Sequence, residues 1–529
     1  MSESSLRSGF DTVISHGTVV DGSGGPVVQA DVGITGGRIA AVGDLSGAPA
    51  AERLDVRGLA ITPGFVDIHA HSDVMNLAFP DGENKVRQGI TTEIAGNCGL
   101  AVAPLGDADG TTRKVRELST AVDVPGFDWQ WTSVGEYLDR LDEAQPAIDT
   151  ALLAGHLAIR ASVVGTAERA ATPDEIRGMA ELLDEALSDG AVGLSLGLMY
   201  PPSSYATFDE MQALGEVVER HGALLAVHMR DYSAGLLGSV DEALAVGAAA
   251  GCRLQISHLT AVGRPFWGTV TTAIDRIEAA QQQGIDVAFD IYPYLAGSTN
   301  LTQILPRWAL DGGMAALHAR LADSTDRQRI RQHLQDRPGL WRDVMLGSVP
   351  FAPERQGRNI AELADELGHA PEDVVMDLVL RGDPTMVEFG RSEDDLRAVL
   401  THPSSMIGSD GLVVLPAEQN VPHPRAFGCY PGLLERYVRK EPVLGIGDAI
   451  RKCTSAPADR VGLTDRGRID VGLRADLVVL DLDRVAENST YEHPWALPSG
   501  IEHVMSEGQW VVRDSQVTGR RPGRAVRRG

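Results

Sequence analysis

The chain holds only four cysteines and four lysines in 529 residues. Cys98, Cys252, Cys429 and Cys453 are widely scattered, which fits a reducing compartment better than a disulfide framework. The lysines are Lys85, Lys114, Lys440 and Lys452, so no lysine side chain has any role between residues 115 and 439. No apolar run approaches membrane-spanning length. The opening MSESSLRSGFDTVIS has neither a basic start nor an apolar stretch of the secretory kind, so the expected location is cytoplasmic. Basic charge is also short, with 47 Lys+Arg against 73 Asp+Glu and a formal charge of −26. A surface of that sign repels phosphate backbones and anionic lipid, so nucleic acid and membranes are not expected partners.

What is present is enough apolar residue, 43%, to bury a large core. Residues 10–62 read as short strands, FDTVISHGTVVDG, ADVGITGGRIAAVG and RLDVRGLAITPG, punctuated by Gly-Gly and Asp-Gly turns. The C-terminal GRIDVGLRADLVVLDLD and IEHVMSEGQWVVRDSQV repeat the style. One small β-sandwich domain built from both ends, 1–62 and 458–529, is expected, with two separate β modules as the alternative.

The middle, 63–457, alternates buried apolar runs with helical stretches. The runs are 64–68, 90–95, 150–155, 191–197, 223–227, 253–257, 285–291 and 405–409. One helix is clearly signed: Thr172-Pro-Asp-Glu175 is a capping box, Ile176, Met179, Ala180, Leu183 and Leu187 keep helical spacing, and Gly190 stops it. Buried strands alternating with helices mean a parallel sheet. Eight strands, with no glycine-rich phosphate loop, predict an α/β fold of the (β/α)8 TIM-barrel type. A helical insertion at about 301–400 separates the seventh and eighth strands.

Seven of the eight runs end on polar residues. His69 and His71 follow the first, Asn97 and Cys98 the second, and His156 the third. His228-Met-Arg230-Asp231 follow the fifth, and His258 the sixth. Asp290-Ile-Tyr292-Pro-Tyr294 follow the seventh, and Ser409-Asp410 the eighth. A parallel barrel gathers all C-terminal strand ends onto one rim, where active sites sit. His69 and His71, two apart on a strand, share a face and can chelate one ion. Four histidines and Asp410 with one thiol suit zinc. Cys98 itself reads three ways at this point: buried spacer, nucleophile or ligand. His156 is on the same rim but is a lesser candidate. The other histidines, among them His16, His221, His402 and His503, read as ordinary turn, helix or loop residues.

In this order, these residues resemble the amidohydrolase superfamily. Cys98, with ITPGFVDIHAHSD, GITTEIAGNCG, GAVGLSLGLMYPPSSYA, HMRD, ISHLTAVGRPFWG, DIYPYLAGST, IGSDG and HPRAFGCYPG, is similar to its N-acyl-D-amino acid deacylase (D-aminoacylase) branch. The bridging lysine of many relatives has no counterpart on the fourth strand, GLSLGLMY. The resemblance implies that Cys98, His228 and His258 hold one tight zinc. His69, His71 and Asp410, with Cys98 shared, would surround a second, weaker position. It implies attack on an N-acyl amide by hydroxide generated at zinc, with Asp410 passing the proton to the leaving amine.

The resemblance also assigns substrate contacts to Tyr200, Tyr292, Ser298 and Arg425. Thr260 stands where the family usually has a lysine, so either Arg230 or Arg264 compensates or the substrate is altered. The expected partner is a small-molecule amide, with self-association left open. Rival readings are an amidohydrolase reaction on a cyclic amide, imide or carbamoyl substrate, and a non-catalytic paralogue serving in assembly.

Overall fold

The computed structural model describes residues 9–105, 110, 115–116, 124, 126–336, 339–414 and 421–528; Lys114 lies outside these. Eight parallel strands form the centre: Phe65–Asp67, Ile90–Ala95, Asp149–Gly155, Gly193–Gly197, Leu224–His228, Arg253–Ile256, Val287–Ile291 and Ser405–Ile407. They pair in sequence order from first to eighth. The ring closes through a parallel bridge between Ala70 and Gly411, where Asp410 N donates to His69 O at 2.8 Å and His71 N to Gly411 O at 3.0 Å. Closure therefore falls among the residues of interest and ties their backbones together. These strands are buried on both faces, which is why they read as continuous apolar runs rather than alternating ones.

The helix signed by its capping box runs Pro173–Ser188, with Thr172 and Glu175 satisfying each other's backbone N–H groups. A cap of this kind contributes about 1 kcal/mol. Met179, Leu183 and Leu187 form its buried face against the barrel, and Gly190 leaves the helix at φ +114°.

Strands from residues 10–63 and 477–517 join in one nine-stranded sheet, while Ala525–Val526 pairs with the barrel strand Asp149–Gly155. Leu477–Leu480 runs antiparallel to Ala60–Pro63, and Ala60–Pro63 pairs in turn with Phe10–Val19. Ile14, Val32, Ile34, Leu477, Val479 and Met505 fill its own apolar cluster. The sheet thus anchors the first barrel strand through Pro63-Gly64-Phe65. The insertion after the seventh strand has a separate core that includes Leu317, Ile330, Leu363 and Met376. Beside its helices it holds a three-stranded antiparallel sheet, Ala296–Asn300, Thr385–Phe389 and Val344–Leu346, which helical periodicity did not reveal. Among the described residues no helix is long and apolar enough to cross a membrane.

Candidate metal centre

The thiol of Cys98 lies at the middle of the rim. His69 Nε2 is 3.2 Å from its sulfur, His228 Nδ1 3.4 Å and His258 Nε2 3.5 Å. His71 Nε2 is 2.9 Å from Asp410 Oδ1, and His69 Nε2 is 3.6 Å from the same oxygen. Two donor groups result, His69–His71–Cys98–Asp410 and Cys98–His228–His258, each with its ligand atoms within 4.8 Å of one another. They share one sulfur. Four imidazoles, a thiol and a carboxylate packed this closely would be an expensive burial without a cation among them. The set of nitrogen, sulfur and oxygen donors is one that a borderline-soft divalent ion takes, so the residues present fit a metal.

The backbone is bent to deliver these groups. Cys98 (φ 56°), His258 (φ 35°) and Asp410 (φ 49°) all occupy the left-handed region, which costs an L-residue of order 1–3 kcal/mol each. The Cys98 turn also needs its glycines. A Cβ on Gly99 would lie 2.7 Å from Gly197 N, and one on Gly197 would lie 2.0 Å from Cys98 O. The end of the fourth strand is therefore packed backbone to backbone against the cysteine turn. No long side chain fits there, in keeping with a sequence that has no lysine on that strand.

Asp290 orients the cluster from behind. Its Oδ1 lies 3.0 Å from His69 Nδ1 and accepts from His258 N at 2.8 Å, while Gln255 Nε2 donates to its Oδ2 at 2.9 Å. A carboxylate against the far ring nitrogen fixes the histidine tautomer and leaves Nε2 facing the sulfur. Burial would push the Cys98 thiol up, but the neighbouring His69 and His228 charges and the His228 and His258 contacts hold it well below its ordinary value. Asp410 behaves alike. Burial raises it, and Arg425, His69 and the His71 contact hold it well below the carboxylate range. Arg425 Nη1 sits 2.8 Å from Asp410 Oδ2.

Around this centre Tyr200 places its ring 4.9 Å from that of His228, with its hydroxyl 3.3 Å from Thr299 Oγ1. Tyr292 lies under the Arg425 guanidinium at 4.7 Å, and Ser298 O accepts from Arg425 Nη2 at 3.4 Å. Thr260 is buried two residues beyond His258. His156 does not join the cluster: its Nδ1 is 2.9 Å from Ser203 Oγ and its Nε2 2.9 Å from Glu210 Oε1. The two arginines expected as stand-ins for the absent lysine both have other partners here. Arg230 is held by Glu242 at 2.8 Å and by the carbonyls of Ser204 and Ala206. Arg264 lies exposed, 5.5 Å over the Trp267 ring.

Three further residues that the sequence reading did not single out support the site. Lys85 is fully buried beneath the rim, bonded to Asp67, and Asp67 Oδ1 in turn accepts from His69 N. His423 Nδ1 accepts from Arg425 N at 3.0 Å, which makes its Nε2 the donor to Ala296 O at 3.1 Å and sets where Arg425 begins. Arg391 donates from Nη2 to Tyr292 Oη at 2.6 Å. The Lys85–Asp67, His423–Ala296 and Arg391–Tyr292 contacts join segments apart in sequence, whereas the His423–Arg425 contact is local.

Clustered metal-type donors on the C-terminal rim of a closed parallel barrel define a metal-dependent hydrolase of the barrel class. The chain belongs to the amidohydrolase family, whose model matches residues 52–512. It is 36% identical over 521 residues to the D-aminoacylase of Alcaligenes xylosoxydans xylosoxydans, covering 98% of each chain. The N-acyl-D-glutamate deacylase of Bordetella bronchiseptica, solved with zinc and a phosphonate mimic of the tetrahedral intermediate, superposes with a TM-score of 0.85 at 31% identity. That match covers 98% of this chain and all of the other. A D-aminoacylase structure described for its binuclear metal centre superposes at 0.84 with 35% identity, again over 98% of this chain.

Proposed function

We propose that this protein hydrolyses the amide of N-acyl-D-amino acids to a carboxylate and a free amine, using zinc. The observation that carries the reading is the single sulfur of Cys98 shared by two donor groups at the mouth of the barrel. Cys98, His228 and His258 would hold the tight ion, and His69, His71, Cys98 and Asp410 a second, weaker one. When bound, zinc supplies Lewis acidity, polarising the amide carbonyl and making water a nucleophile near neutral pH.

The chain's own groups do the rest. Asp410, ionised in the resting site, takes the proton from the attacking water and carries it to the amide nitrogen, so that the leaving group departs as a neutral amine. Its Oδ2 is occupied by Arg425 until a substrate carboxylate competes for that guanidinium, which couples binding to the freeing of the shuttle. Tyr200 and Tyr292 form walls that exclude water and fix the acyl amide against the rim, and Ser298 sets the Arg425 head through its carbonyl.

The test is a hydrolysis screen of N-acetyl-D- and N-acetyl-L-amino acids beside amides without a carboxylate, with zinc-loaded and metal-stripped protein. Turnover of the D series that follows zinc content is expected. Activity confined to carboxylate-free or cyclic amides, or unaffected by stripping, overturns the reading.

A further inference from the structure

The ladder between the fifth and sixth barrel strands, Leu224–His228 and Arg253–Ile256, pairs residues only as far as Val227 and Ile256. His228 and His258 both lie beyond that point. The final rung runs from Ser257 N to Val227 O at 3.0 Å. A parallel ladder would continue with Met229 N donating to Ser257 O. Instead the Tyr232 hydroxyl stands between them. Met229 N donates to Tyr232 Oη at 2.9 Å, and Oη donates to Ser257 O at 3.3 Å. Met229 follows one histidine of the site and Ser257 precedes the other, so a single side chain bridges the backbones next to both.

The ring completes the contact. Its centroid lies 5.1 Å from that of His228, edge-on at 79°, and 5.1 Å from that of His258, tilted at 59°. Tyr232 is buried, and its carbonyl accepts from Val262 N at 2.7 Å, which fastens it to the loop after the sixth strand. Asp290 fixes the ring of His69, but His228 Nε2 is buried with no hydrogen-bond partner in the protein. The placement of His228 against His258 is therefore set through the backbone and by packing. Two hydrogen bonds in series span more than one, so the inserted hydroxyl holds the strand ends apart where a direct N–H···O bond would draw them together. At that separation both imidazoles face one sulfur, at 3.4 and 3.5 Å.

Resting on the zinc assignment above, we propose that Tyr232 is a positioning residue of the tight metal site. Its hydroxyl replaces one rung of the barrel ladder and sets the separation at which His228 and His258 meet one ion together with Cys98. The role belongs to the hydroxyl rather than to the ring.

The experiment compares the wild type with Tyr232→Phe, which keeps the ring and removes only the bridging oxygen. Competition against a chromogenic chelator on metal-stripped protein reads zinc affinity, and urea unfolding of the same metal-free samples reads the fold. Tyr232→Phe should bind zinc about 10- to 100-fold more weakly, the range for groups that orient metal ligands. Loaded with cobalt(II), it should show shifted visible absorption bands, which follow ligand geometry. Tyr437→Phe removes a buried hydroxyl 3.3 Å from Glu393 Oε2, outside both donor groups, and should leave affinity and spectrum unchanged. A loss of affinity smaller than that range, or one that Tyr437→Phe matches, overturns the inference. So does a Tyr232→Phe variant without a urea transition, because the hydroxyl then holds the fold rather than the ligands. A wild type that binds no zinc overturns the deacylase reading and the inference together. Zinc held tightly by the wild type and weakly by Tyr232→Phe, in a protein that cleaves no N-acyl-D-amino acid, overturns that reading and leaves the inference standing.

Discussion

Replacing Lys85 by methionine should destabilise the protein far more than the same change at Lys440, although both lysines are ion-paired. Lys85 Nζ lies 2.9 Å from Asp67 Oδ2, 3.2 Å from Glu93 Oε2, 3.2 Å from Ser409 Oγ and 3.3 Å from Gly411 O. All three ionisable side chains are wholly buried (0% exposed). Burial opposes the ammonium, but the two carboxylates hold its pKa above the ordinary value. Removing it strands two carboxylates with no cation, and breaking a buried pair in this way costs about 3–5 kcal/mol. Lys440 reaches Glu435 at 2.6 Å, but its side chain is 62% exposed, so its removal should cost under about 1 kcal/mol.

Urea unfolding followed by circular dichroism, with midpoint shifts scaled by the wild-type slope, separates the two. The triple variant Lys85→Met, Asp67→Asn, Glu93→Gln should recover at least half the loss, because it leaves no unpaired charge buried. Losses for Lys85→Met and Lys440→Met within about 1 kcal/mol of each other would refute the reasoning. Lys85→Met should also lose turnover, since Asp67 holds the backbone N of both His69 and Ser409.

Three further outcomes are expected. Cys98→Ala should lose tightly held zinc by elemental analysis after dialysis, whereas Cys252→Ala, equally buried but outside both donor groups, should keep it. Asp410→Asn should retain that zinc while kcat falls by about 10²–10⁴, the contribution of a positioned proton carrier, and an unchanged kcat removes Asp410 from the reaction. Glu487 accepts from Tyr294 Oη at 2.5 Å, and burial pushes its carboxyl up to about 7 despite the Tyr294 and Ser489 contacts. With a folded-state pKa above the unfolded one, its protonated form stabilises the protein fully below about pH 4.5, and the effect is lost as pH rises through about 7. Relative to Glu487→Gln, the wild type should lose about 3 kcal/mol across that window, and a pH-independent difference counts against it.

The eight barrel strands, the capped helix at Pro173–Ser188 and the donors at the strand ends are legible in the sequence because each follows from a local pattern. Runs apolar on both faces mark a buried parallel strand. A Thr-Pro-x-Glu opening marks a helix start. A polar residue just past a buried run marks the rim. Barrel topology then does the gathering, so residues more than 300 positions apart, such as His71 and Asp410, are predicted together without any contact being known. The choice among three roles for Cys98 narrowed because the sequence has no lysine to serve between 115 and 439.

What only the tertiary structure decided is pairing. Lys85 and Arg391 look like unremarkable loop or helix residues until the fold sets them against Asp67 and Tyr292. Arg230 and Arg264, close to Thr260 in sequence, are taken by Glu242 and by the surface. Charge type and periodicity are properties of the sequence, but whether a charge meets a partner, another charge or nothing depends on distances of a few ångströms between segments that no local pattern relates. Arg391, set against the Tyr292 ring and hydroxyl, is placed in just this way.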